Sequence, residues 1–412
     1  MRRVRYLVVL LSIGIIALLP ALILGCAAQK PAGDASAGSP VKQEYLVAYA
    51  EGGRIGVMTP DGQKSALLSP GPGDYTPVWS PDGTKIAFVR LFPADQKGTY
   101  VMAADGSGVK KIMDTASYYI PPVWSPDSQR LAVNDHAESR RGLWTVKADG
   151  TDAKQLFKDS SPIGSVAWSP DGATIAFTFN KQPTTGGLYL IDATGGEPRL
   201  VLDVNKDGLY RAGALSWSPD GTHIAVRSNP KPAQEGQPPV SPMLSLVQVG
   251  KDGTAKVEHR ITNLVEGPWY PAWHPSSNTV SVLAQGNNGK QQLGAVSVDT
   301  GKLEVLGEQA HMRSPVWSSD GGMLMAPTYD TASKPMGMIA RVTLKDPDGM
   351  GWAMSMDMTD MMKPDHVDMA GDATQIAICP TAFSGTMPAV RPASDVKVEG
   401  LRWADITWKG FT

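Results

Sequence analysis

A short motif that returns along most of the chain constrains the fold more than any other feature of the sequence. Its clearest copy spans residues 78–88, where Trp-Ser-Pro-Asp-Gly precedes a β-branched and apolar run. Six further copies, some close and some degenerate, begin at Trp124, Trp168, Trp217, Trp273, Trp317 and Met369. Successive copies lie 44 to 56 residues apart. Such a period is typical of solenoids and propellers.

Each part of this motif has a structural reason. Proline fixes φ at the second position of a tight turn, the Asp side chain bonds to nearby backbone, and Gly accepts a positive φ. The segment that ends in Trp79 and the segment 85–89 therefore form a β-hairpin. Two further strands, near 100–103 and 109–112, follow before the next copy begins. Four antiparallel strands in about 45 residues correspond to one propeller blade.

The spacing predicts an all-β propeller of four-stranded blades over residues 45–412, most simply with eight blades. Eight candidate fourth strands fall near 65–68, 110–113, 154–157, 199–202, 257–262, 303–306, 352–358 and 396–401. The first group, 45–59, lacks its own leading Trp strand, and the final segment, 401–408, lacks any strands after it. We therefore predict that this C-terminal strand completes the N-terminal blade and removes an exposed edge. Seven blades is the alternative, because the irregular stretch 327–364 also reads as an insertion.

The N-terminus has the pattern of a secretory signal peptide. Arginines precede an apolar run over residues 6–24, which ends in Gly25 and Cys26. This ending resembles a bacterial lipobox, in which the Cys is lipidated and becomes the mature N-terminus. We expect residues 1–25 to be removed and 26–44, rich in Ala, Gly, Ser and Pro, to tether an extracytoplasmic domain to the membrane. An uncleaved membrane anchor is the alternative, because the run is nearly long enough to span a bilayer.

Charge and cysteine content exclude some classes of function. The chain has 38 basic and 40 acidic residues, and removal of the three signal-peptide arginines leaves an acidic excess without a basic stripe. Nucleic-acid binding is therefore not expected. Cys379 is the second of two cysteines, so no intramolecular disulfide is predicted, and a buried apolar role for Cys379 is the simplest interpretation.

The run Trp-Ser-Pro-Asp-Gly-x-x-Ile-Ala-Phe over residues 79–88 resembles the WD-like repeat of the TolB-like β-propellers of the cell envelope. The resemblance covers nearly all of the mature chain and implies the propeller fold. The α/β domain that precedes the propeller in TolB has no room between Cys26 and Tyr45. Prolyl-oligopeptidase-type enzymes also use such a propeller, but the chain has no Gly-x-Ser-x-Gly motif and no span left for a hydrolase domain. We therefore expect a protein that is not an enzyme.

A binding face is predicted at one mouth of the propeller channel. Loops that enter each first strand gather there, together with the loops that join second and third strands. Residues ahead of the Trp motifs are rich in aromatic residues, Arg and Met, which are enriched at interface hot spots. The predicted binding face consists of Tyr75, Tyr118, Tyr119, Tyr210, Arg211, Trp269, Tyr270, His311, Arg313 and His366. For any single aromatic residue, packing between blades is the alternative.

Two metal-dependent alternatives stay open at this point. A propeller lyase acting on acidic oligosaccharides would use His311 and His366 in neighbouring mouth loops, although such sites normally need three or four ligands. Met361, Met362 and His366 are candidate Cu(I) ligands because thioethers are soft, with core packing of the methionines as the simpler interpretation. The preferred hypothesis is a monomeric, membrane-tethered, non-catalytic module that binds an envelope protein or peptide and needs no cofactor.

Overall fold

The computed structural model divides the chain into two units, Met1–Gln43 and Glu44–Thr412, and all described residues lie in the second. The structure describes residues 44–51, 53–58, 65–71, 73–116, 121–161, 163–181, 185–203, 209–230, 242–250, 253–265, 271–286, 291–306, 315–317, 324–328, 338–345, 353–355, 377–381 and 402–404. The predictions for the signal peptide, Cys26 and the tether therefore lie outside the described residues. Within those ranges, no helix has both the length and the apolar character needed to cross a bilayer.

The strands of the described segments form seven sheets, and five of these are built from four consecutive strands. The sheet that contains the N-terminal strands has the order β28 (Ala377–Thr381), β1 (Glu44–Glu51), β2 (Arg54–Met58) and β3 (Ser65–Leu67). The next two sheets contain β4 (Asp74–Trp79), β5 (Lys85–Arg90), β6 (Gly98–Ala103) and β7 (Lys110–Met113), then β8 (Val123–Trp124), β9 (Arg130–Asp135), β10 (Gly142–Lys147) and β11 (Lys154–Lys158). A 3₁₀ turn, Ala94–Gln96, lies between β5 and β6.

The remaining four sheets continue the same pattern along the chain. Two of them contain β12 (Ile163–Trp168), β13 (Thr174–Lys181), β14 (Thr185–Asp192) and β15 (Arg199–Asp203), then β16 (Leu209–Trp217), β17 (His223–Pro230), β18 (Met243–Val249) and β19 (Ala255–Ile261). The last two contain β20 (Ala272–Trp273), β21 (Thr279–Gln285), β22 (Gln291–Ser297) and β23 (Leu303–Leu306), then β24 (Val316–Trp317), β25 (Leu324–Thr328), β26 (Met338–Lys345), β27 (Ala353–Ser355) and β29 (Arg402–Ala404). The all-β propeller with four-stranded blades is thus confirmed.

The predicted count of eight blades and the predicted closing strand are wrong. β1 pairs antiparallel with β28, so that Leu46 lies opposite Cys379 and Ala48 opposite Ala377. The C-terminal segment that was expected there, represented by β29, instead pairs in parallel with β26. Pairing with an edge strand needs free backbone groups and a short apolar run, not a Trp motif. The run Ala377–Thr381, which follows the degenerate copy at Met369, meets that requirement.

Apolar side chains from neighbouring sheets form the core. Successive residues of a strand point to opposite faces. Ile86 and Phe88, both fully buried, therefore pack with Ile55 of the sheet before theirs, whereas Ala87 packs with Leu131 of the sheet after it. Burial on both faces explains why the second strand of each repeat is an almost continuous apolar run.

The repeat tryptophans link one blade to the blade before it. The indole N–H of Trp124 donates to the backbone carbonyl of Val78, and that of Trp168 donates to Val123, both at 3.1 Å. Trp273 makes the equivalent bond to the carbonyl of Ser216, also at 3.1 Å. Each bond joins residues about one repeat apart in the sequence. The tryptophan that ends a first strand therefore also fixes the distance between its own sheet and the preceding sheet.

The Ser-Pro-Asp turns are closed by a repeated hydrogen-bond network. The Ser125 hydroxyl donates to the Asp127 carboxylate at 2.6 Å and accepts from the backbone N–H of Arg130 at 2.9 Å. The hydrogen bond from Ser125 holds the pKa of Asp127 below its ordinary value of 3.8, and the bond from Ser169 does the same for Asp171. These aspartates are structural, as their position in the turn predicts.

We expect these carboxylates to make the fold sensitive to acid. A lowered folded-state pKa stabilises the fold above the unfolded-state value and loses that contribution as the pH falls below about 3.8. Asp127→Asn keeps an acceptor oxygen but cannot titrate. Urea unfolding of this variant should therefore show a smaller loss of stability between about pH 5 and pH 3 than the native chain shows. Equal losses in the two proteins would contradict this assignment.

Two repeats place serine where the others place glycine. Ser128 and Ser277 have φ of 60° and 64°, close to the 70° of Gly83 in the first copy. Their hydroxyls accept hydrogen bonds at 3.0 Å from the backbone N–H groups of Asp82 and Asp220, which belong to the turns of the preceding blades. The energetic cost of placing serine in the left-handed backbone region is thus offset by a hydrogen bond between blades.

This arrangement predicts different effects for two substitutions of Ser128. Ser128→Ala loses the bond to Asp82 and keeps the unfavourable φ, so it should destabilise the fold by about 1 kcal/mol. Ser128→Gly loses the same bond but relieves the backbone, so its free energy of unfolding should stay close to that of the native chain. Chemical denaturation of the three proteins measures both differences, and equal destabilisation by Ala and Gly would contradict the proposed offset.

Candidate functional site

One end of the sheets, here called the mouth face, carries the loops that follow every second strand and those that lead into every first strand. The antiparallel order within each sheet brings both loop types to the same end. The two loops meet directly in the sheet of β4 to β7, where the N–H of Leu91 donates to the carbonyl of Gly73 at 2.8 Å. The opposite end, here called the turn face, carries the Ser-Pro-Asp turns.

A buried ion pair supports the mouth face at this point. Arg90, at the end of β5, donates from Nε and Nη2 to the two carboxylate oxygens of Asp74 at 2.5 and 2.9 Å. Asp74 is fully buried and Arg90 is 7% exposed. The bonds and charge of Asp74 raise the pKa of Arg90, against the lowering effect of its burial. The pair therefore fixes the start of one first strand to the end of its second strand.

The loop between β5 and β6 is held by the same arginine. Nη1 of Arg90 donates to Oε1 of Gln96 at 3.3 Å, and its guanidinium lies 4.6 Å from the ring centroid of Tyr100. The Tyr100 hydroxyl donates to the carbonyl of Gln96 at 2.7 Å. Side chains of the sheet thus anchor one end of the loop at Gln96, and the backbone bond from Leu91 to Gly73 anchors the other, which limits the conformations that the loop can adopt.

Phe92 lies in this anchored loop and is the most exposed large hydrophobic residue among those that the structure describes. Its exposed fraction is 60%. Gly73 lies beneath it with φ of 103°, and a Cβ atom there would come within 2.4 Å of the Phe92 carbonyl oxygen. Only glycine allows this close approach. The sequence thus presents an aromatic ring to solvent from a loop whose backbone is held in place.

Basic side chains occupy the neighbouring loops. We call Lys97, His136, Arg140 and Arg141 the basic corner. Arg140 lies 3.1 Å from the fully buried carboxylate of Asp135, yet its side chain is 39% exposed. Arg141 donates to the carbonyl of Ser160 at 2.6 Å, in the segment that leads into the next blade.

The charges of this group act on the half-buried imidazole of His136. Burial lowers its pKa, and the charges of Arg141 and Lys97 lower it further, while Asp135 acts in the opposite direction. Lys97 belongs to the preceding blade, so its charge acts across the interface between the two. Because the ring tends to stay neutral, the positive charge of the basic corner comes from Lys97, Arg140 and Arg141.

Polar side chains continue the links between blades along the mouth face. The Asn134 amide donates to the carbonyl of Ile163 at 2.9 Å, and the Thr178 hydroxyl donates to the carbonyl of Gly213 at 2.9 Å. Asn180 makes two bonds to the backbone of Ala212, at 2.8 and 3.1 Å. Each of these bonds reaches from a second strand to the first strand of the next blade. The mouth face is therefore a connected surface across these blades.

Three residues of the predicted binding face lie in strands that the structure describes. Tyr75 lies at the start of β4, partly buried, with its Cα opposite that of Val89. Tyr210 and Arg211 lie within β16, but their side chains are outside the description. The other predicted residues lie outside the described segments: Tyr118, Tyr119, Trp269, Tyr270, His311, Arg313 and His366, and likewise Met361, Met362 and Cys26.

Phe92, Lys97 and Arg140 were not predicted as site residues. They belong to loops between second and third strands, which open at the same mouth as the loops before each Trp motif. A search of both loop types would have found them. In the segments that the structure describes, no three His, Cys, Asp or Glu side chains are grouped as a metal site would require. The candidate metal ligands lie elsewhere, so the two metal-dependent alternatives stay predictions.

Removal of Arg90 should show how strongly its ion pair with Asp74 stabilises the fold. Arg90→Met leaves the Asp74 carboxylate buried without its partner and should destabilise the fold by about 3 kcal/mol. The double variant Asp74→Asn, Arg90→Met removes the buried charge and should recover part of that loss. Urea denaturation of native, single and double variants gives the comparison. A double variant no more stable than the single would contradict a penalty caused by unpaired charge.

Comparison with known proteins matches residues 45–237 to the family model described as the TolB beta propeller domain. The uncharacterized peptidase YuxL of Bacillus subtilis (strain 168) is 35% identical over 57 residues, which are 14% of this chain and 9% of YuxL. The chain therefore spans less than a tenth of the length of that curated relative.

Two solved structures align with about two thirds of the chain. TolB from Acinetobacter baumannii is 17% identical with a TM-score of 0.48, and the match covers 66% of each chain. An oligogalacturonate lyase in complex with manganese is 13% identical with a TM-score of 0.53, over 68% of this chain and 81% of the lyase. Since the same fold occurs in a lyase, it does not by itself distinguish a binding module from an enzyme. Residues 45–237 of the chain therefore match the TolB β-propeller domain family.

Proposed function

We propose that this protein is a non-catalytic binding module of the cell envelope, which recognises a protein or peptide through its mouth face. The observation that carries the proposal is Phe92, an aromatic side chain that is 60% exposed on a loop held by buried contacts. An exposed aromatic ring on a restrained backbone loses little conformational freedom on binding. Such residues are typical anchors of protein interfaces.

The basic corner supports a specific kind of partner. Lys97 is exposed and Arg140 keeps 39% of its side chain exposed, although one carboxylate lies beside it. Arginine contributes both charge and planar hydrogen-bonding geometry to interfaces. A partner surface that combines an apolar pocket for Phe92 with carboxylates for the basic corner would match this part of the mouth face. Charge of this kind increases association rates and discriminates between partners.

The proposal includes a location for the module. Residues 1–25 carry the pattern of a secretory signal, and the sequence around Gly25 and Cys26 has the features of a lipidation site. Lipidation of Cys26 would attach the propeller to a membrane through residues 26–44. A tethered module searches for its partner in the volume that its linker allows, which raises the effective concentration of the two.

Site-specific photocrosslinking in intact cells tests the proposed partner site. A photoreactive phenylalanine analogue replaces Phe92 in one variant and Leu200 in a matched control, because Leu200 is 40% exposed on β15, the fourth strand of its blade. We expect one discrete crosslinked protein from position 92 and none from position 200. Lys97→Glu in the same background should reduce the yield severalfold, because it places a negative charge in the basic corner.

Equal crosslinking from positions 92 and 200 would contradict a specific mouth-face site. Loss of crosslinking in Lys97→Glu supports the proposed site only if that variant unfolds at the same denaturant concentration as the native chain.

A parallel assay of unsaturated-product formation from oligogalacturonate addresses the lyase alternative directly. Turnover of this substrate would overturn the non-catalytic assignment.

A further inference from the structure

The strand that closes the N-terminal sheet, β28, occupies the place of a first strand. First strands of successive sheets contact one another, as β4 contacts β8 and β20 contacts β24. β28 contacts β24 on one side and β4 on the other. In the blade of β12, Trp168 lies opposite Ile175, which begins the run Ile-Ala-Phe. In the closing sheet, Ile378 lies opposite Val47, which begins the run Val-Ala-Tyr. β28 is therefore the first strand of the blade that β1, β2 and β3 complete.

This closing strand is a degenerate copy of the repeat motif. By register, Ala377–Thr381 reads Ala-Ile-Cys-Pro-Thr where residues 167–171 read Ala-Trp-Ser-Pro-Asp. The serine of the latter copy joins its turn to the second strand, because Ser169 accepts from the N–H of Thr174 at 2.9 Å and donates to Asp171 at 2.5 Å. Tryptophan, serine and aspartate are all replaced in the closing strand, whereas alanine and proline are kept.

The indole bonds that join neighbouring sheets are missing on both sides of β28. At three junctions the motif tryptophan donates to a backbone carbonyl of the preceding first strand, namely at Trp124, Trp168 and Trp273. Isoleucine has no N–H to donate, so Ile378 cannot make this bond toward β24. On the other side, Nε1 of Trp79 in β4 is buried and finds no acceptor among the described residues. The closing strand thus lacks the bond that fixes other first strands to their neighbours.

The chain connections of β28 allow it to leave β1 without unfolding an adjacent hairpin. β12 continues into β13 through the turn at residues 169–173, whereas β28 and β1 come from opposite ends of the chain. β27 ends at Ser355 and β29 begins at Arg402, and both pair with β26. The connections from these two strands to β28 are much longer than a turn. Pairing with β1 and packing between β24 and β4 are therefore what hold β28 in place.

We infer that this edge of β1 accepts, from a partner protein, an extended segment with an apolar residue followed by Trp-Ser-Pro-Asp, which displaces β28. The partner backbone would repeat the pairing of β28, because a strand added to a sheet edge binds through main-chain hydrogen bonds. Its indole would take the register position of Ile378 and donate toward the carbonyl of Val316 in β24. The carbonyl before its tryptophan would accept from Trp79, as that of Val123 accepts from Trp168.

The motif-bearing partner fits this edge better than a second copy of the chain. A second copy would offer another Ala377–Thr381, which is no closer to the motif than the strand that it would replace. It would also compete with a strand already tethered beside β1 at high effective concentration. This site does not involve Phe92 or the basic corner, so each proposed site can fail experimentally without affecting the other.

Binding of synthetic peptides to the full-length chain tests this site. The probe has the sequence of residues 163–171, and its two controls carry alanine in place of the tryptophan or have the sequence of residues 373–381. We expect saturable binding of the labelled probe by fluorescence anisotropy, and at least about tenfold weaker binding of both controls. Phe92→Ala, on the mouth face, should bind the probe like the native chain.

Two variants test whether the probe uses the edge that β28 covers. Ile378→Trp with Cys379→Ser makes β28 a closer copy of the motif, so the probe should bind at least about tenfold more weakly. Ala48→Cys with Ala377→Cys, in a Cys379→Ala background, allows a disulfide, because opposed Cα atoms of antiparallel strands lie within disulfide range. The oxidised form should not bind the probe, and reduction of the same protein should restore binding.

Hydrogen exchange measured by mass spectrometry shows whether β28 leaves. Amides of Ala377–Thr381 should exchange faster when the probe is bound, because their partners on β1 are then taken by the probe. Amides of Glu44–Glu51 should stay protected in the same experiment. Absence of saturable binding, equal binding of the alanine-substituted peptide, binding to the oxidised form, or unchanged exchange at Ala377–Thr381 would each overturn the inference.

Discussion

The packing of each sheet against the sheet before it is the constraint on which the rest of the structure depends, and at Trp124, Trp168 and Trp273 an indole hydrogen bond holds the two sheets together. A four-stranded sheet with two apolar faces is not stable alone and must pack against a neighbour on each side. The bonds of Trp124 to Val78 and of Trp168 to Val123 set that packing at the same place in successive blades. Apolar packing is not directional, whereas a hydrogen bond fixes register. The motif therefore specifies both the hairpin and its place beside the next hairpin.

The part of the fold that the sequence predicted is the part in which each repeat carries its own turn chemistry. Between residues 74 and 306, the strands agree with the expected four-strand units because the Ser-Pro-Asp or related turn and the apolar second strand are local signals. The prediction of the blade count and of the closing strand failed where the copies of the motif are degenerate. Beyond Trp317 the register depends on pairing between distant segments, such as β1 with β28, and no local pattern indicates which segment closes a sheet.

The position of the mouth face can be predicted from the sequence, whereas the exposed residues that the structure shows on it cannot. Which loops share a mouth follows from strand order, so the location could be inferred from the repeat alone. The exposure of Phe92 could not, because it depends on the pairing of Arg90 with Asp74 and on the absence of a side chain at Gly73. A buried ion pair between residues 16 apart has no signature in a sequence of one protein.

The sheet shared by β1 and β28 has a consequence for how the protein is made. One edge of β1 pairs with the adjacent strand β2, but at the other edge Ala48 pairs with Ala377, 329 residues later, so that edge has no permanent partner until β28 has been synthesised. An apolar strand with a free edge is prone to pair with other chains in that interval. During biogenesis the N-terminal strand is thus the segment with the longest exposure. A holding factor that covers Glu44–Glu51 would protect the nascent chain better than one that acts on any later strand.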